Sequence, residues 1–126
     1  MTTATQLLEA YLDDIQKPSV AAALFAADGV VELPWVKVRA QGQAAIQKMI
    51  EDLLRMAPDF AFKDLRWWIQ TPDRVFAEYS VETLVPSTRK TYRQTYAGLL
   101  IAEGGKIKLL REALDTAEAA RALRGE

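Results

Sequence analysis

The order of the periodic segments constrains the fold of this chain more than any single motif. In the first part of the chain, apolar residues recur at helical spacing, and Pro18, Gly42 and Pro58 mark where helices begin or end. From Phe60 onward the pattern changes to stretches rich in aromatic and β-branched residues, separated by turn residues. Helices followed by an antiparallel meander predict an α+β domain, with the helices packed on one face of a sheet.

The predicted elements form a single domain spanning residues 1–126, because a chain of this length can bury one core but not two. Helices are predicted at about 3–15, 18–27, 43–57 and 115–124, and strands at about 30–33, 36–40, 60–70, 74–84, 90–102 and 106–114. Asp28-Gly29 is typical of a turn between the second helix and the first strand. Asp115, with Glu118 three residues on, predicts the N-cap of the tail helix, and an acid at the edge of a pocket is the alternative.

Composition excludes several classes of function. The formal net charge is −1 and no segment is strongly basic, so nucleic acid is not an expected partner. The apolar runs are far shorter than the ~20 residues that a membrane helix needs, and the first residues do not follow the pattern of a secretory signal. Cysteine is absent, which excludes disulfides and fits a reducing compartment, so a cytoplasmic location is expected.

The absence of histidine restricts the chemistry further. Without histidine and cysteine, the chain cannot form the common zinc sites, a thiol nucleophile or a Ser-His-Asp triad. No glycine-rich phosphate loop of a standard spacing is present. We therefore expect no metal and no organic cofactor, and any acid–base chemistry has to use Asp, Glu, Tyr, Lys or water.

Four parts of the chain, taken in order, resemble the SnoaL-like and ketosteroid isomerase-like proteins of the nuclear transport factor 2 superfamily. They are Tyr11 in the first helix, LFAADGVVELPW at 24–35, GQAAIQKMI at 42–50 and YRQTYAGLLIAEGGKIKLLREALD at 92–115. The resemblance implies a cone-shaped fold, in which a curved, mainly antiparallel sheet and three N-terminal helices enclose one deep apolar pocket. It also implies a small apolar molecule as the ligand.

Two of the three groups that ketosteroid isomerases use are missing. Those enzymes have a base aspartate after a Val-Glu pair, together with a helix-one tyrosine and a protonated acid that hold an enolate oxygen. The position after the Val-Glu pair is Leu33, and lining up the turn at 105–107 places the protonated acid at Ala97, so only the tyrosine, Tyr11, matches. Steroid isomerisation by that mechanism is not expected, and the acid that limonene epoxide hydrolases need at the same strand position is also missing. The resemblance still allows SnoaL-type cyclases, which close a ring by an aldol reaction without a metal.

Strand alternation predicts which side chains face the pocket. If Ala97 faces inward, the matching register turns the following residues inward: Val31, Leu33, Ala77, Tyr79, Val81, Thr91, Arg93, Thr95, Leu99, Leu110, Glu112 and Leu114. The predicted ligand-binding residues are Leu33, Trp35, Tyr79, Arg93, Thr95, Ala97, Leu110 and Leu114. A β-bulge would move the inward set of a strand to the other face.

Glu112 is the predicted acid or base, and Tyr11 is the predicted partner of a ligand carbonyl. A carboxylate between Leu110 and Leu114 loses hydration, which raises its pKa and suits it to proton transfer. Alternatively, Glu112 pairs with Arg93 across the sheet, and this pairing would lower the pKa instead. Tyr11 could equally be a core aromatic residue of the first helix.

Three functions remain open from the sequence. The chain could be a cofactor-independent cyclase, isomerase, hydratase or hydrolase for an apolar carbonyl compound or epoxide, a non-catalytic binder of such a compound, or a structural dimer with a collapsed pocket. A titratable group aimed at the ligand would favour the enzyme. A homodimer is expected because the outer face of the open sheet should carry Trp67 or Trp68, Phe76, Tyr92 and Tyr96, which are too aromatic to stay in water.

Overall fold

A computed structural model describes residues 1–125 of the chain as four helices and six strands. The helices are α1 (Ala4–Asp13), α2 (Pro18–Ala22), α3 (Gln43–Met56) and α4 (Thr116–Leu123), and a 3₁₀ turn spans Pro34–Val36. The strands are β1 (Phe25–Leu33), β2 (Val38–Gln41), β3 (Phe62–Gln70), β4 (Arg74–Val85), β5 (Lys90–Glu103) and β6 (Lys106–Ala113). Within residues 1–125, no helix is long and apolar enough to cross a membrane.

The six strands form one open sheet in the order β2-β1-β6-β5-β4-β3. β1 and β6 pair in parallel, and the other neighbouring strands pair antiparallel. The helices α1, α3 and α4 all contact strands of this sheet. The α+β prediction is therefore confirmed, as is the cone-shaped fold with a mainly antiparallel sheet.

The core lies between the helices and the inner face of the sheet. α1 buries Leu7, Leu8 and Tyr11 on one face, as its helical spacing predicts. β4 alternates strictly, so Ala77 and Tyr79 are fully buried, while Glu78 between them lies on the outer face. The periodicity of these segments therefore predicts their buried faces correctly.

The second helix is shorter than the sequence predicts. It ends at Ala22, and the strand β1 already begins at Phe25. The amide of Ile107 donates to the carbonyl of Leu24 at 2.9 Å, so pairing with β6 takes up residues that helical propensity alone would leave in α2. Asp28-Gly29 lies inside β1 at an irregularity of that pairing, where a Cβ at Gly29 would stand 2.7 Å from the carbonyl oxygen of Ile107.

A β-bulge in β6 sets the facing of β5. Next to the connecting turn, Ala102 pairs with Ile107, but one step further Ile101 pairs with Leu109, so Lys108 has no partner across the strands. Regular pairing from the turn would place Ala97 opposite Glu112, whereas the bulge places Gly98 there. The inward-facing residues of β5 are therefore Tyr92, Gln94, Tyr96, Gly98 and Leu100. The prediction that Thr91, Arg93, Thr95, Ala97 and Leu99 face inward is wrong.

Asp115 caps α4, in agreement with one of its two interpretations. Its carboxylate accepts hydrogen bonds from the amides of Ala117 at 3.0 Å and Glu118 at 3.2 Å. The side chain of Glu118 does not complete a capping box, because it accepts from the amide of Arg93 at 3.0 Å and from the guanidinium of Arg121. α4 is thus attached to β5 at its N-terminal end.

We expect Asp115→Ala to lower the free energy of unfolding by about 1 kcal/mol, because two amides of the first turn of α4 lose their acceptor. Chemical denaturation followed by circular dichroism measures this change. Glu9→Ala is the control, since Glu9 is an exposed acid within α1, and it should change the stability by less than about 0.5 kcal/mol. Equal effects of the two substitutions would contradict the capping role.

Candidate functional site

A cavity of about 660 Å³ lies between the inner face of the sheet and the helices α1, α3 and α4. Most of its wall is apolar or aromatic and includes Ile15, Leu33, Met49, Leu53, Phe60 and Phe62. Exposed residues such as Gln41 and Lys48 also border the cavity, so it opens to solvent on that side. Volume and composition are those of a small-molecule site.

Four of the predicted site residues come together at this cavity: Tyr11, Leu33, Glu112 and Leu114. Tyr79 stands next to them, since its hydroxyl donates a hydrogen bond to the Glu112 carboxylate. Leu110 is buried in β6 on the same face of the strand, without lining the cavity. The remaining predicted residues lie elsewhere.

Trp35, Arg93, Thr95 and Ala97 are not part of the cavity wall. Trp35 is 63 % exposed in the 3₁₀ turn after β1. The other three residues lie on the outer face of β5, because the bulge in β6 shifts the register by one residue. The guanidinium Nε of Arg93 lies 3.6 Å from a carboxylate oxygen of Glu82 on that outer face, so the predicted pairing of Arg93 with Glu112 is wrong.

Tyr92, Gln94 and Tyr96 are the polar residues that the sequence analysis missed in this region. Tyr92 and Tyr96 were expected on the outer face of the sheet, and Gln94 was not considered. All three side chains are buried, and both tyrosines line the cavity. The sequence holds one usable signal, which is Gly98 in the middle of a long strand. A glycine there marks a bulge or a close approach of another group, and either would have questioned the assumed facing of β5.

Glu112 is the one buried acidic or basic side chain within residues 1–125. Burial raises the pKa of its carboxyl to about 7, and the hydrogen bond from Tyr79 offsets part of that rise. Burial and the nearby charge of Glu112 also raise the pKa of Tyr11 and of Tyr79 well above the usual value. Both phenols are therefore neutral hydrogen-bond donors at neutral pH, while Glu112 is present in both protonation states.

Gly98 makes the contact between Tyr79 and Glu112 possible. It lies on β5 directly between Ala77 of β4 and Glu112 of β6. A Cβ at this position would stand 2.2 Å from the Tyr79 hydroxyl oxygen, well inside any allowed contact. Because Gly98 has no side chain, the Tyr79 ring can cross the middle strand and reach the carboxyl group of Glu112.

Aromatic rings hold this part of the wall in place. The ring of Phe62 packs edge-on against Tyr79 with centroids 5.2 Å apart, and against Tyr96 at 5.9 Å. Tyr79 and Tyr96 are themselves stacked at 6.1 Å. The hydroxyl groups near Glu112 are consequently carried by rings with little freedom to move.

We expect Gly98→Ala to displace Tyr79 and to raise the pKa of Glu112 above its value of about 7, because the hydrogen bond that lowers it is lost. The pKa can be measured by ¹³C NMR of the glutamate side-chain carboxyls. Tyr79→Phe removes the same hydrogen bond without adding an atom, so it should raise the pKa in the same direction. An unchanged pKa in both variants would contradict the proposed role of Gly98.

The raised pKa also predicts a pH dependence of stability. Glu112 has a pKa of about 7 in the folded protein against 4.5 for a free side chain, so the folded state binds the extra proton between these values. Its contribution to stability is therefore present below pH 4.5 and is lost as the pH rises to about 7. The loss amounts to about 3 kcal/mol for a shift of this size.

Denaturation of the wild type and of Glu112→Gln at several pH values tests this dependence. The unfolding free energy of the wild type, measured relative to that of Glu112→Gln, should fall by about 3 kcal/mol from pH 4 to pH 7.5. Glu118→Gln is the control of opposite sign: Arg121 lowers the pKa of Glu118 to about 2 in the folded protein, so the stability that this carboxylate contributes rises between pH 4 and pH 7.5 and does not fall. A pH-independent difference for Glu112→Gln would show that its pKa is not raised.

Comparison with known proteins agrees with this geometry. Residues 6–110 match the family model of the SnoaL-like domain. A Catenulispora acidiphila protein with a ketosteroid isomerase-like fold, solved in complex with trimethylamine, superposes with a TM-score of 0.85 at 16 % identity, over 97 % of this chain and 95 % of that one. A candidate polyketide cyclase from Pseudomonas putida gives 0.85 at 18 %, over 98 % and 99 % of the chains.

An epoxide hydrolase from Mycobacterium tuberculosis that is similar to the limonene enzyme superposes with a TM-score of 0.72 at 19 % identity, over 97 % of this chain and 90 % of that one. No curated protein sequence matches the chain. Structural likeness at these identities shows the fold alone. The family model covers most of the sequence, and the chain therefore belongs to the SnoaL-like family.

Proposed function

We propose that this protein is a cofactor-independent enzyme of the SnoaL-like type, a cyclase, isomerase or hydrolase acting on an apolar carbonyl compound or epoxide. The observation that carries the proposal is the Glu112 carboxyl, which is buried in the wall of the apolar cavity and bonded to the neutral hydroxyl of Tyr79. No lysine or arginine of residues 1–125 forms a salt bridge with it. A carboxyl that served only structure would more often be paired with a cation.

Glu112 is suited to both halves of a proton transfer. With a pKa of about 7, a large fraction is ionised at neutral pH and can remove a proton from the carbon next to a carbonyl group. The protonated form can then return that proton to another position of the same molecule. The negative charge that develops on the carbonyl oxygen needs a hydrogen-bond donor nearby.

Tyr11 is the proposed donor to that oxygen. It lines the same cavity as Glu112, and its hydroxyl makes no hydrogen bond within residues 1–125. Its raised pKa keeps the proton on the phenol at neutral pH. The reaction then needs a base, a donor and an apolar enclosure, and it draws on neither a metal nor an organic cofactor.

The names of structural neighbours support this class of reaction. A candidate polyketide cyclase and an epoxide hydrolase share the fold, so proteins of this shape are named for ring closure and for epoxide hydrolysis. The fold hosts several chemistries, so the choice among cyclase, isomerase and hydrolase depends on this chain's own residues. A cytoplasmic location and the absence of nucleic-acid and membrane partners remain predictions of the sequence.

The alternative is a non-catalytic protein that binds a small apolar molecule in the same cavity. The contact with Tyr79 favours it, because that hydrogen bond occupies one carboxylate oxygen of Glu112 in the unliganded protein. The Catenulispora neighbour, solved with a bound small amine, is an example of ligand binding on this fold. Binding without turnover by the wild type would identify this function.

We expect Glu112→Gln to reduce turnover by about 10²- to 10⁴-fold, because the amide keeps the shape but cannot accept the proton. Deuterium incorporation at the methyl group of 2-acetylnaphthalene in D₂O, followed by NMR, measures proton abstraction, and hydrolysis of styrene oxide tests the epoxide activity. For the wild type, kcat/KM should rise with pH through about 7 as Glu112 ionises.

Glu78→Gln is the matched control for this experiment. Glu78 is the neighbour of Tyr79 in β4, but it belongs to the opposite face of the sheet, so its substitution should leave the rates unchanged. Exchange that is as fast in Glu112→Gln as in the wild type would refute the catalytic role of Glu112.

We also propose that the protein is a homodimer. Tyr92 and Tyr96 are not on the outer face as the sequence analysis expected, but that face still presents Ile69 beside the half-buried Phe76. Trp68 is 56 % exposed on the same edge strand, β3, whereas Trp67 is half-buried. An exposed group of large apolar side chains of this kind is typical of a protein–protein interface.

Sedimentation should give a species of twice the 14.1 kDa chain mass at micromolar concentration. Ile69→Lys should shift the protein towards the monomer, because it puts a charge into the apolar contact. Val20→Lys is the control: Val20 is an exposed apolar residue of α2, away from β3, and its substitution should leave the dimer intact. A wild-type monomer would reject the dimer.

A further inference from the structure

Gln94 is a buried amide whose orientation is determined by the backbone. Its side-chain oxygen accepts hydrogen bonds from the amide of Asp115 at 2.8 Å and from the amide of Thr95 at 3.1 Å. Of the two polar ends of the Gln94 amide, only the carbonyl oxygen can accept from N–H groups, so the other end is the NH₂ group. That group donates to the carbonyl of Asp115 at 2.9 Å and to the hydroxyl oxygen of Tyr92 at 3.1 Å.

The donation from Gln94 leaves one spare hydrogen in a pair of tyrosine hydroxyls. The hydroxyl oxygens of Tyr92 and Tyr96 are 2.9 Å apart, and one hydrogen is used between them. Gln94 supplies a hydrogen and accepts none from the pair. Two hydroxyls hold two hydrogens, so the second one has no acceptor within residues 1–125.

The hydrogen bond from Gln94 favours Tyr96 as the holder of the spare hydrogen. The bond between the two tyrosine hydroxyls can run in either direction, but a hydroxyl that already accepts a hydrogen bond is the stronger donor, so Gln94 favours donation from Tyr92 to Tyr96. Both tyrosines line the cavity, but Tyr96 is the more accessible, at 6 % exposed against 1 % for Tyr92. Hydrogen bonds in such a chain polarise one another, so the terminal hydroxyl is a stronger donor than an isolated phenol.

We propose that Tyr96 donates a second hydrogen bond to the carbonyl oxygen of the ligand, beside the one proposed for Tyr11, and that Gln94 is the positioning residue that orients Tyr96 through Tyr92. This inference adds a subsite to the proposed function and rests on the same cavity. It favours ligands with a carbonyl oxygen, such as a ketone or an ester, over phenols, whose oxygen is a weaker acceptor and carries a hydrogen of its own. The ring of Tyr96 is stacked on Tyr79, whose hydroxyl bonds Glu112, so donor and acid share one wall of the cavity.

Binding of three naphthalenes of similar size tests the proposal: 2-acetylnaphthalene offers only an acceptor, 2-naphthol offers a donor beside a weaker acceptor, and 2-ethylnaphthalene offers neither. The wild type should bind the ketone several-fold more tightly than the hydrocarbon. Tyr96→Phe should weaken ketone binding by about 5- to 10-fold, as for the loss of one hydrogen bond, and leave hydrocarbon binding within about 2-fold. The infrared carbonyl stretch of the bound ketone should move to higher wavenumber in Tyr96→Phe.

Gln94→Glu tests the direction of the chain of hydrogen bonds. A carboxyl group in place of the amide accepts from Tyr92 and no longer donates to it, so Tyr96 must then donate to Tyr92 and offer only a lone pair to the cavity. The variant should therefore lose the preference for the ketone and gain one for 2-naphthol. If this variant does not fold, as judged by circular dichroism, the Tyr96→Phe comparison and the carbonyl stretch decide the matter.

Several results would overturn the inference. One is a wild type that binds the ketone no more tightly than the hydrocarbon. Another is a carbonyl stretch that moves in Tyr11→Phe or Tyr92→Phe while it stays unchanged in Tyr96→Phe. Neither result bears on proton transfer by Glu112, because Glu112→Gln and the deuterium exchange test the proposed function separately.

Discussion

The site depends on the burial of one carboxyl group, that of Glu112, against the hydroxyl of Tyr79. An ionisable group inside an apolar core destabilises the protein unless it is hydrogen-bonded or neutral; the contact with Tyr79 provides the hydrogen bond, and burial favours the neutral form. The contact spans three strands, because Tyr79 reaches from β4 over Gly98 of β5 to β6. Backbone register and one absent side chain therefore set the protonation of the group proposed for catalysis.

The bulge at Lys108 decides which residues share the interior with Glu112. It turns the tyrosines and Gln94 of β5 inward, and it leaves Arg93 on the outer face beside Glu82. If the pairing were regular, the guanidinium of Arg93 would share the inner face with the carboxyl, and a cation there would lower the pKa of Glu112. The interior instead combines one carboxyl with neutral donors, which is the environment that keeps a pKa near neutrality.

The strand β5 connects the cavity to α4, the helix that covers it. Gln94 holds both the amide and the carbonyl of Asp115, the N-cap of α4, and it also donates to Tyr92. α4 in turn contributes Ala119 and Leu123 to the cavity wall. The cover of the cavity and the order of the tyrosine hydroxyl groups in its wall thus depend on one hydrogen-bonded unit.

The sequence by itself determined the fold class, the order of the elements, the cap at Asp115 and the inward faces of β4 and β6. These features depend on local periodicity and capping, which are written in neighbouring residues. Only the tertiary structure decided the end of α2 and the facing of β5. A pairing with β6 overrides helical propensity in the first case, and in the second an extra residue in β6 shifts the partner strand. Such pairings join residues that are distant in the chain, so local periodicity does not record them, and Gly98 is the one sequence signal that bears on the facing of β5.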